Sequence, residues 1–454
     1  MDAKLVFAKV LFFSTALSTV GWTRFQNNVL LSKGISARDV GILKGVGLLF
    51  KLTGELTCAT VADKYDPFSV FIVCTLCQAY TMECIRSSAT LSFNFVLFIK
   101  FLRGLTACLP TLTNTLSVAL TAGTKEGYGQ QRVYGSLAWG VGALSTGVLI
   151  DNYGHDILFF LAYCFYGVSA LLMYIGSRYL KLSHTGAAAI TPYGTAAVSS
   201  GAVKKNSDAD LSIPPGGLVS QVSQETSRLV AQLRDSLNKL LLSDVLKHLL
   251  LNILVYGVVM SSIDSVIFTS LIKDYHTTAS FGGMYTGVGV LSCLPAFYLS
   301  TALIEKHGHY NILRFAQSAC VLRLCLMAML PSSWEHSPNC LLVTQLLHGA
   351  SFALFWATAV DIMYKLAPPD MKNVSLGILN ALYFTIGGAI GNILWSFVME
   401  RVHMHGVLVG ALMLVIVNLS VLHANQVSLC RQIDVVTSHR YEVVNRSDEE
   451  NDAL

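Results

Sequence analysis

Ionisable side chains at helical spacing inside apolar stretches carry the chemistry open to this chain. Lys44, Lys51 and Glu55 recur at i, i+7 and i+11, which sets all three on one helix face, with Lys51 and Glu55 one turn apart in ion-pair geometry. Arg132, Ser136 and Trp139 recur at i, i+4 and i+7 and also share a face. Asp264 stands among Ser261, Ser262 and Ser265, while Arg103 and Arg323 each fall near the middle of an apolar run. Side chains of these types bind polar solutes, stack on rings, exchange ion pairs and, where a carboxylate is buried, take up and release protons. Charge is costly in hydrocarbon and usually faces a cavity or a partner. A structural ion pair locking one helix to its neighbour fits Lys51 and Glu55 equally well. For Arg132 and Trp139, a place at the membrane edge fits the same spacing.

Covalent chemistry has no comparable support. The chain has no phosphate-cradling Gly-Lys loop, no HExxH and no recognisable Ser-His-Asp motif, which argues against an ATP-driven pump and an intramembrane hydrolase. We expect no enzymatic activity and no cofactor. No basic domain suited to nucleic acid is present. The 11 cysteines lie mostly inside apolar stretches, as Cys58, Cys74, Cys77, Cys108, Cys164 and Cys325 do, and read as small packing residues rather than a disulfide frame or a metal site.

The elements that position these residues follow from composition. Hydrophobic residues make up 53% of the 454 and charged residues only 13%, with a mean hydropathy of +0.56. Soluble domains carry charge on about a quarter of their residues. A bilayer core takes roughly 20 apolar residues per helix. Twelve spans are expected, near 5–29, 39–61, 67–86, 91–120, 128–150, 156–177, 246–270, 279–303, 311–330, 338–366, 373–399 and 405–425. Runs of this length indicate helices rather than barrel strands, giving an all-α polytopic protein embedded in a lipid bilayer. The first run continues through Trp22 to Asn28 without a small-residue cleavage site, so it is expected to be retained.

Lys4, Lys9, Lys64, Lys125, Arg178, Lys181, Lys306, Arg314, Lys365 and Lys372 gather on one side of these spans, against Lys33, Arg38, Arg86, Lys273 and Arg401 on the other. By the positive-inside rule both termini are expected to be cytoplasmic. Residues 178 to about 217 form a Gly, Ala, Ser and Pro-rich stretch that reads as a flexible linker. Beyond it, Leu218, Val222, Leu229, Leu233, Leu237 and Leu240 recur at helical spacing among Arg228, Arg234 and Lys239. An amphipathic helix over about 218–242 follows, lying on the membrane face or capping the bundle. The expected units are therefore 1–177, a linker over 178–245, a second bundle over 246–425 and a cytoplasmic tail over 426–454.

The two bundles echo each other. Leu102-Arg103-Gly104 is matched by Leu347-His348-Gly349, and Ala62-Asp63-Lys64-Tyr65 by Ile304-Glu305-Lys306-His307-Gly308. Acidic-basic turns at the same point of each half argue for a duplicated six-helix unit whose central site opens to either side in turn.

Three stretches carry a family resemblance: Gly34-Ile35-Ser36-Ala37-Arg38-Asp39-Val40-Gly41-Ile42 leading to Ala62-Asp63-Lys64; Tyr128-Gly129-Gln130-Gln131-Arg132-Val133-Tyr134-Gly135-Ser136-Leu137-Ala138-Trp139-Gly140; and Leu347-His348-Gly349 with Ala367-Pro368-Pro369. They resemble the major facilitator superfamily, within it the branch of lactose permease, the nucleoside symporters and their eukaryotic relatives. The resemblance implies two pseudo-symmetric six-helix halves and a solute site in which Arg132 bonds hydroxyls and Trp139 stacks on a ring, with Ser136 on the same face. Asn114 stands where the permease type has the carboxylate that pairs with this arginine. An amide cannot neutralise Arg132, which turns the expectation from galactosides toward an anionic or mixed-polarity solute.

His348 matches the histidine of the permease coupling site, but Ser351 occupies the place of the proton-carrying carboxylate, and serine does not cycle a proton near neutral pH. Asp264 or Glu55 is left to titrate, with Lys51, Arg103, Arg323 and His348 as pairing partners. Burial holds a proton on a carboxylate and an approaching guanidinium releases it, the exchange a symporter uses. Counting Lys44, Lys51, Arg103, Arg132 and Arg323 against Glu55, Asp264 and Asp361, the interior leans positive. Asp63 and Lys64 resemble the superfamily gating loop, although Ala59 replaces its leading glycine and Asp66-Pro67 its basic end. The implied activity is secondary active transport of a small polar solute (sugar, nucleoside or organic anion) coupled to protons, with an uncoupled uniporter or a non-transporting receptor or scaffold on the same fold as alternatives.

Sequons at Asn373, Asn418 and Asn445 fall at or inside the membrane or in the cytoplasmic tail of this topology. Glycosidase treatment of the protein from a glycosylating host is expected to leave its mobility unchanged; a shift lost in an Asn445→Gln variant would place the C-terminus on the opposite side.

Overall fold

The computed structural model describes residues 3–64, 66–107, 109–110, 112–114, 116, 128–179, 244–331, 333–366 and 372–431. They are helical throughout, with no strand among the described residues. In the first half α1 is Ala3–Ser32, α2 Ala37–Lys64, α3 Pro67–Ser87, α4 Phe93–Leu105, α5 Tyr128–Tyr153 and α6 Asp156–Tyr179. In the second, α7 passes through Asp244–Ser261, Ser262–Val266 and Ile267–Lys273; α8 is Ala279–His307 and α9 His309–Ala328. Helix α10 passes through Ser337–Thr344, Leu346–His348, Gly349–Ala353 and Leu354–Leu366, and α11 through Lys372–Asn380 and Ala381–Gly387 into a helix that starts at Gly388.

That last helix runs nominally from Gly388 to Ala424, but His403 sits at φ 57 and ψ −169, outside helical space. A Cβ built on Gly410 would lie 3.1 Å from the Trp395 ring. Fifteen residues of continuous helix would hold those positions about 22 Å apart. The chain therefore folds back at His403, separating α11 from a following helix, α12, over 404–424. A boundary in this place is what the hydropathy reading anticipates.

Nine stretches among the described residues are long and apolar enough to cross a membrane, counting 375–424 as one. Helices α2 and α4 are not among them. The first carries Lys44, Lys51 and Glu55 along its length, and the second ends at Leu105, with a break at Thr106 and Ala107 before the helical residues described between 109 and 116. The linker over 180–243, with its expected amphipathic helix, and the tail beyond 431 lie outside the described residues.

Local signals explain the helix ends. Asp66 caps α3 by accepting from the Ser69 amide, with Pro67 at the first helical position. Ser92 caps α4 through Phe95 N–H, and Thr278 caps α8 through Phe281 N–H. Gly308, at φ 78, ends α8 and lets α9 begin one residue later. Each half has its own apolar core, one built around Leu11, Phe25, Phe71 and Tyr166, the other around Tyr256, Leu313, Phe355 and Leu408. Phe268 and Ala279 of the second half belong to the first half's core, which marks where the halves join.

The joint is made of small residues. A Cβ on Gly147 of α5 would lie 2.3 Å from the Ala279 carbonyl oxygen of α8, and one on Gly41 of α2 would lie 2.2 Å from Ser396 Cβ of α11. Side chains there would force the backbones apart. Asp151, one turn beyond Gly147, accepts from the Ala279 and Ser280 amides at 2.8 Å each, so a carboxylate of one half caps a helix of the other. Arg38 meets Glu400 at 3.6 Å and lies 4.4 Å over the Phe397 ring. All these contacts sit at the end of the bundle opposite Ala3 and Tyr179, called here the far end. The halves are shut against each other there.

Gly147→Val is expected to wedge this seam open. Overpacking costs about 1–3 kcal/mol, a five- to hundredfold shift toward forms open at the far end. The rate at which a membrane-impermeant thiol reagent labels Ser396→Cys in a background without exposed cysteines reads that shift; an unchanged rate would mean that α5 and α8 do not form the seal.

Candidate functional site

Just inside the shut seam, three hydrogen bonds tie the halves together at mid-depth. Lys44 Nζ donates to Ser265 Oγ at 2.8 Å. Asn27 Nδ2 donates to Thr269 Oγ1 at 2.9 Å, and Arg24 Nη1 reaches the Asp264 backbone carbonyl at 3.4 Å. The acceptors sit together because α7 makes a π turn over Ser262–Val266, in which Ile267 N–H bonds Ser262 O five residues back. Such turns recur at functional sites. The Arg24 guanidinium lies 5.5 Å from the centre of the Trp139 ring, a cation–π arrangement. Asp264 is exposed although its neighbours Ile263 and Ser265 are buried. An exposed carboxylate flanked by cross-half bonds marks open space between the halves, below this roof.

Behind it, Arg323 is fully buried, and Nη1 lies 2.9 Å from His348 Nδ1. A guanidinium only donates, so Nδ1 accepts and the imidazole is neutral there. Among the described residues the remaining Nε and Nη2 of Arg323 lack hydrogen-bond partners, as does the buried Tyr285 hydroxyl. His348 stacks on Phe352, with ring centroids 5.3 Å apart and planes 14° apart. Ser351, in the place expected for a carboxylate, bonds the His348 carbonyl, while its own carbonyl accepts from Tyr256. No acid among the described residues is bonded to this buried pair.

The first half shows the same imbalance. Lys100 is buried and donates to Gln26 Oε1. Arg103 donates to the Gln78 carbonyl at 3.0 Å and to Thr81 Oγ1 at 3.3 Å. Both cations lie over the Trp22 ring, at 5.7 and 5.3 Å. Ring faces and amide oxygens soften buried charge without cancelling it. Only Lys51 has a carboxylate, Glu55, at 3.5 Å.

The sequence expectations sort accordingly. Trp139 and Asp264 come together through Arg24; Arg323 joins His348, and Lys51 joins Glu55. Arg103, expected to pair with an acid, instead bonds Gln78 and Thr81. Asp361, counted with the interior acids, pairs with His309 at 2.6 Å and Lys365 at 2.8 Å where α9 starts against α10. It ties those helices at the near end and does not offset the central cations. Ser136 is exposed and Asn114 half-buried. The side chains of Arg132, Asp63 and Lys64 lie outside the described residues. Arg24 and Lys100 went unmarked in the sequence reading. Each is a lone cation inside an apolar stretch, the same signal that singled out Asp264.

Among the described residues the central cations are Arg24, Lys44, Lys51, Lys100, Arg103 and Arg323; the central acids are Glu55 and Asp264. No group of His, Cys, Asp and Glu suited to a metal ion occurs among the described residues.

Known proteins share this architecture. The structure of the nucleoside transporter NupG superposes with a TM-score of 0.69 at 14% identity, covering 93% of this chain and 99% of that one. A bacterial homologue of the human lysosomal transporter Spinster gives 0.58 at 11% identity, over 96% of both chains. The human organic anion transporter MFSD10 gives 0.56 at 14%, over 93% of this chain and 100% of that one. In sequence, the uncharacterised transporter YwbF of Bacillus subtilis is 20% identical over 305 residues, 67% of this chain and 62% of that protein, so the chain spans less than two thirds of that relative's length. The model of the MFS_1-like family matches residues 8–409. With its helical halves, its small-residue seam and its charged centre in place, the chain belongs to the MFS_1-like family of the major facilitator superfamily.

Proposed function

We propose that this protein moves a small organic anion across its membrane by alternating access. The observation that carries the reading is the set of central cations with no carboxylate bonded to them among the described residues: Arg24, Lys44, Lys100, Arg103 and Arg323 against an exposed Asp264. An uncompensated positive cavity raises the local concentration of anions and rejects cations. In this reading an anion lying between the halves supplies the missing charge and meets Lys44, Arg24 and Trp139, with Asn114, Arg132 and Ser136 kept as further candidates from the sequence. The names of the structural relatives, a nucleoside transporter and an organic anion transporter, are compatible with a solute of this size.

With the N-terminus cytoplasmic, the far end is the outer one, and the state described is closed to the outside. Asp63 and Lys64, in the last turn of α2, then stand at the inner mouth and serve the opposite closure. In this reading Asp264 is the coupling acid, as the central carboxylate exposed to the cavity. Glu55 is held by Lys51 and serves as the second candidate. Ser351, in the place of a proton-carrying carboxylate, favours a uniporter as the alternative mechanism. A receptor or scaffold on the same fold predicts no solute flux at all.

The test is reconstitution in liposomes, recording internal pH while pools of small carboxylates, sugars and nucleosides are added. Carboxylate-dependent pH change is expected, with Asp264→Asn abolishing uphill accumulation while retaining solute exchange. Flux without pH change would point to the uniporter, and uptake confined to neutral sugars or nucleosides would overturn the anion reading.

The buried pair gives a second expectation. His348→Phe leaves every Arg323 donor unpaired and is expected to cost about 1–3 kcal/mol, read as a lower melting temperature in detergent. Arg323→Met added to it removes the stranded charge and restores most of that loss. A double variant no more stable than His348→Phe would mean that the guanidinium is already satisfied.

A further inference from the structure

The second half faces the cavity with aromatic rings, and they narrow the class of solute. Phe352 and Trp356 come from α10, Tyr383 and Phe384 from α11. Ring centroids are 4.8 Å apart for Trp356 and Phe384, 4.7 Å for Tyr383 and Phe384, and 5.3 Å for Trp356 and Tyr383. Phe352 closes the group at 6.2 Å from both Tyr383 and Phe384. These are the offset and edge-to-face distances of interacting rings. Two π turns build the panel. Phe352 lies in the turn over Gly349–Ala353, and Tyr383 and Phe384 lie in the turn over Ala381–Gly387.

The panel's position follows from the seam. A Cβ on Gly388 of α11 would lie 3.2 Å from Leu48 Cδ1 of α2. Phe384 is one turn before Gly388 on that same face, and Lys51 is three residues beyond Leu48. The antiparallel run of the two helices sets Phe384 and Lys51 on the inner side of the Leu48 contact, facing the same space. Phe384 is 42% exposed, and the Lys51 side chain is 42% exposed. Tyr383 is 4% exposed, and its hydroxyl has no partner among the described residues. One wall of the cavity is therefore aromatic, with an unspent polar group behind it, and the adjoining α2 wall carries Lys44, bonded to Ser265, and the Lys51–Glu55 pair.

We infer that the transported anion is a planar aromatic or heteroaromatic carboxylate, its ring against Phe352, Trp356 and Phe384 and its carboxylate toward Lys44. The inference rests on the anion reading above and deepens it. A sugar acid would leave the ring faces without a partner, and a neutral aromatic solute would leave Lys44 with the Ser265 hydroxyl but no counter-charge. An aryl carboxylate satisfies both walls at once. The free Tyr383 hydroxyl suits a ring nitrogen or hydroxyl.

Matched probes separate the two levels. Ligand-induced thermal stabilisation and competition for uptake in liposomes are measured with benzoate, 1-naphthoate and indole-3-carboxylate, beside cyclohexanecarboxylate and benzamide. The aryl carboxylates are expected to act at concentrations about three- to tenfold below cyclohexanecarboxylate, the worth of one or two ring contacts, with benzamide weakest. Cyclohexanecarboxylate equal to benzoate overturns the aromatic inference and leaves the anion reading standing. Benzamide equal to benzoate overturns the anion reading itself, and no effect from any aryl carboxylate overturns the inference. Phe384→Leu is expected to narrow the preference for aryl over saturated acid, read as the ratio of the two concentrations. Trp356→Leu, checked for folding by its melting temperature, is expected to do the same; an equal loss for both acids would assign the panel to packing alone.

Discussion

A cation placed at hydrocarbon depth without a counter-charge is the constraint on which this structure turns. Removing an ammonium or guanidinium from water costs several kcal/mol even after relaxation, and Arg24, Lys44, Lys100, Arg103 and Arg323 all meet that cost without a carboxylate bonded to them. Each is instead surrounded by partial compensation: Trp139 beneath Arg24, Trp22 beneath Lys100 and Arg103, Gln26 and Ser265 as oxygen acceptors, a neutral imidazole against Arg323. A bundle built only for stability would have replaced such groups with leucine, since apolar substitutes for buried charge are often neutral or stabilising. Retaining them makes sense where a mobile negative charge completes the set for part of a working cycle.

The seam between the halves is the mechanical counterpart of that charge. Gly41 and Gly147 let backbones meet, so the far end closes by shape with little side-chain rearrangement. Asp151 adds direction: its carboxylate binds the free amides at the start of α8 and is lost as a partner when the halves part. Closure of this kind is all-or-none, because packed backbones have no half-separated arrangement that keeps either contact.

How much of this could be read from sequence depended on whether the signal was local. The helical class and most helix ends follow from hydropathy and caps such as Asp66 and Thr278, and the break between α11 and α12 fell between the two apolar runs assigned to them. The pairing of Lys51 with Glu55 followed from one-turn spacing. Cross-half partners did not, because Lys44 with Ser265 and Asn27 with Thr269 join positions more than 200 residues apart. Asp361 was misplaced for the same reason: its depth depended on where α9 begins, which no feature of α10 encodes. The π turns at 262–266, 349–353 and 381–387 have no sequence signature, yet they aim Asp264, Phe352 and Phe384.

In the cycle proposed above, binding and gating draw on the same side chains. Lys44 and Arg24 hold the roof by bonding to Ser265, next in the chain to the exposed Asp264, and to the carbonyl of Asp264 itself. On the proposed reading, an anion that takes Lys44 withdraws a hydrogen bond from the seam at mid-depth, and a proton taken by Asp264 leaves both cations to the solute. Neither event alone supplies more than about one or two hydrogen bonds' worth of free energy, roughly 1–3 kcal/mol. That is the scale of bias that moves a two-state bundle between nearly balanced forms without trapping it in either. A transporter needs its solute to tip the equilibrium and then leave, and cations shared between the solute and the roof meet both demands.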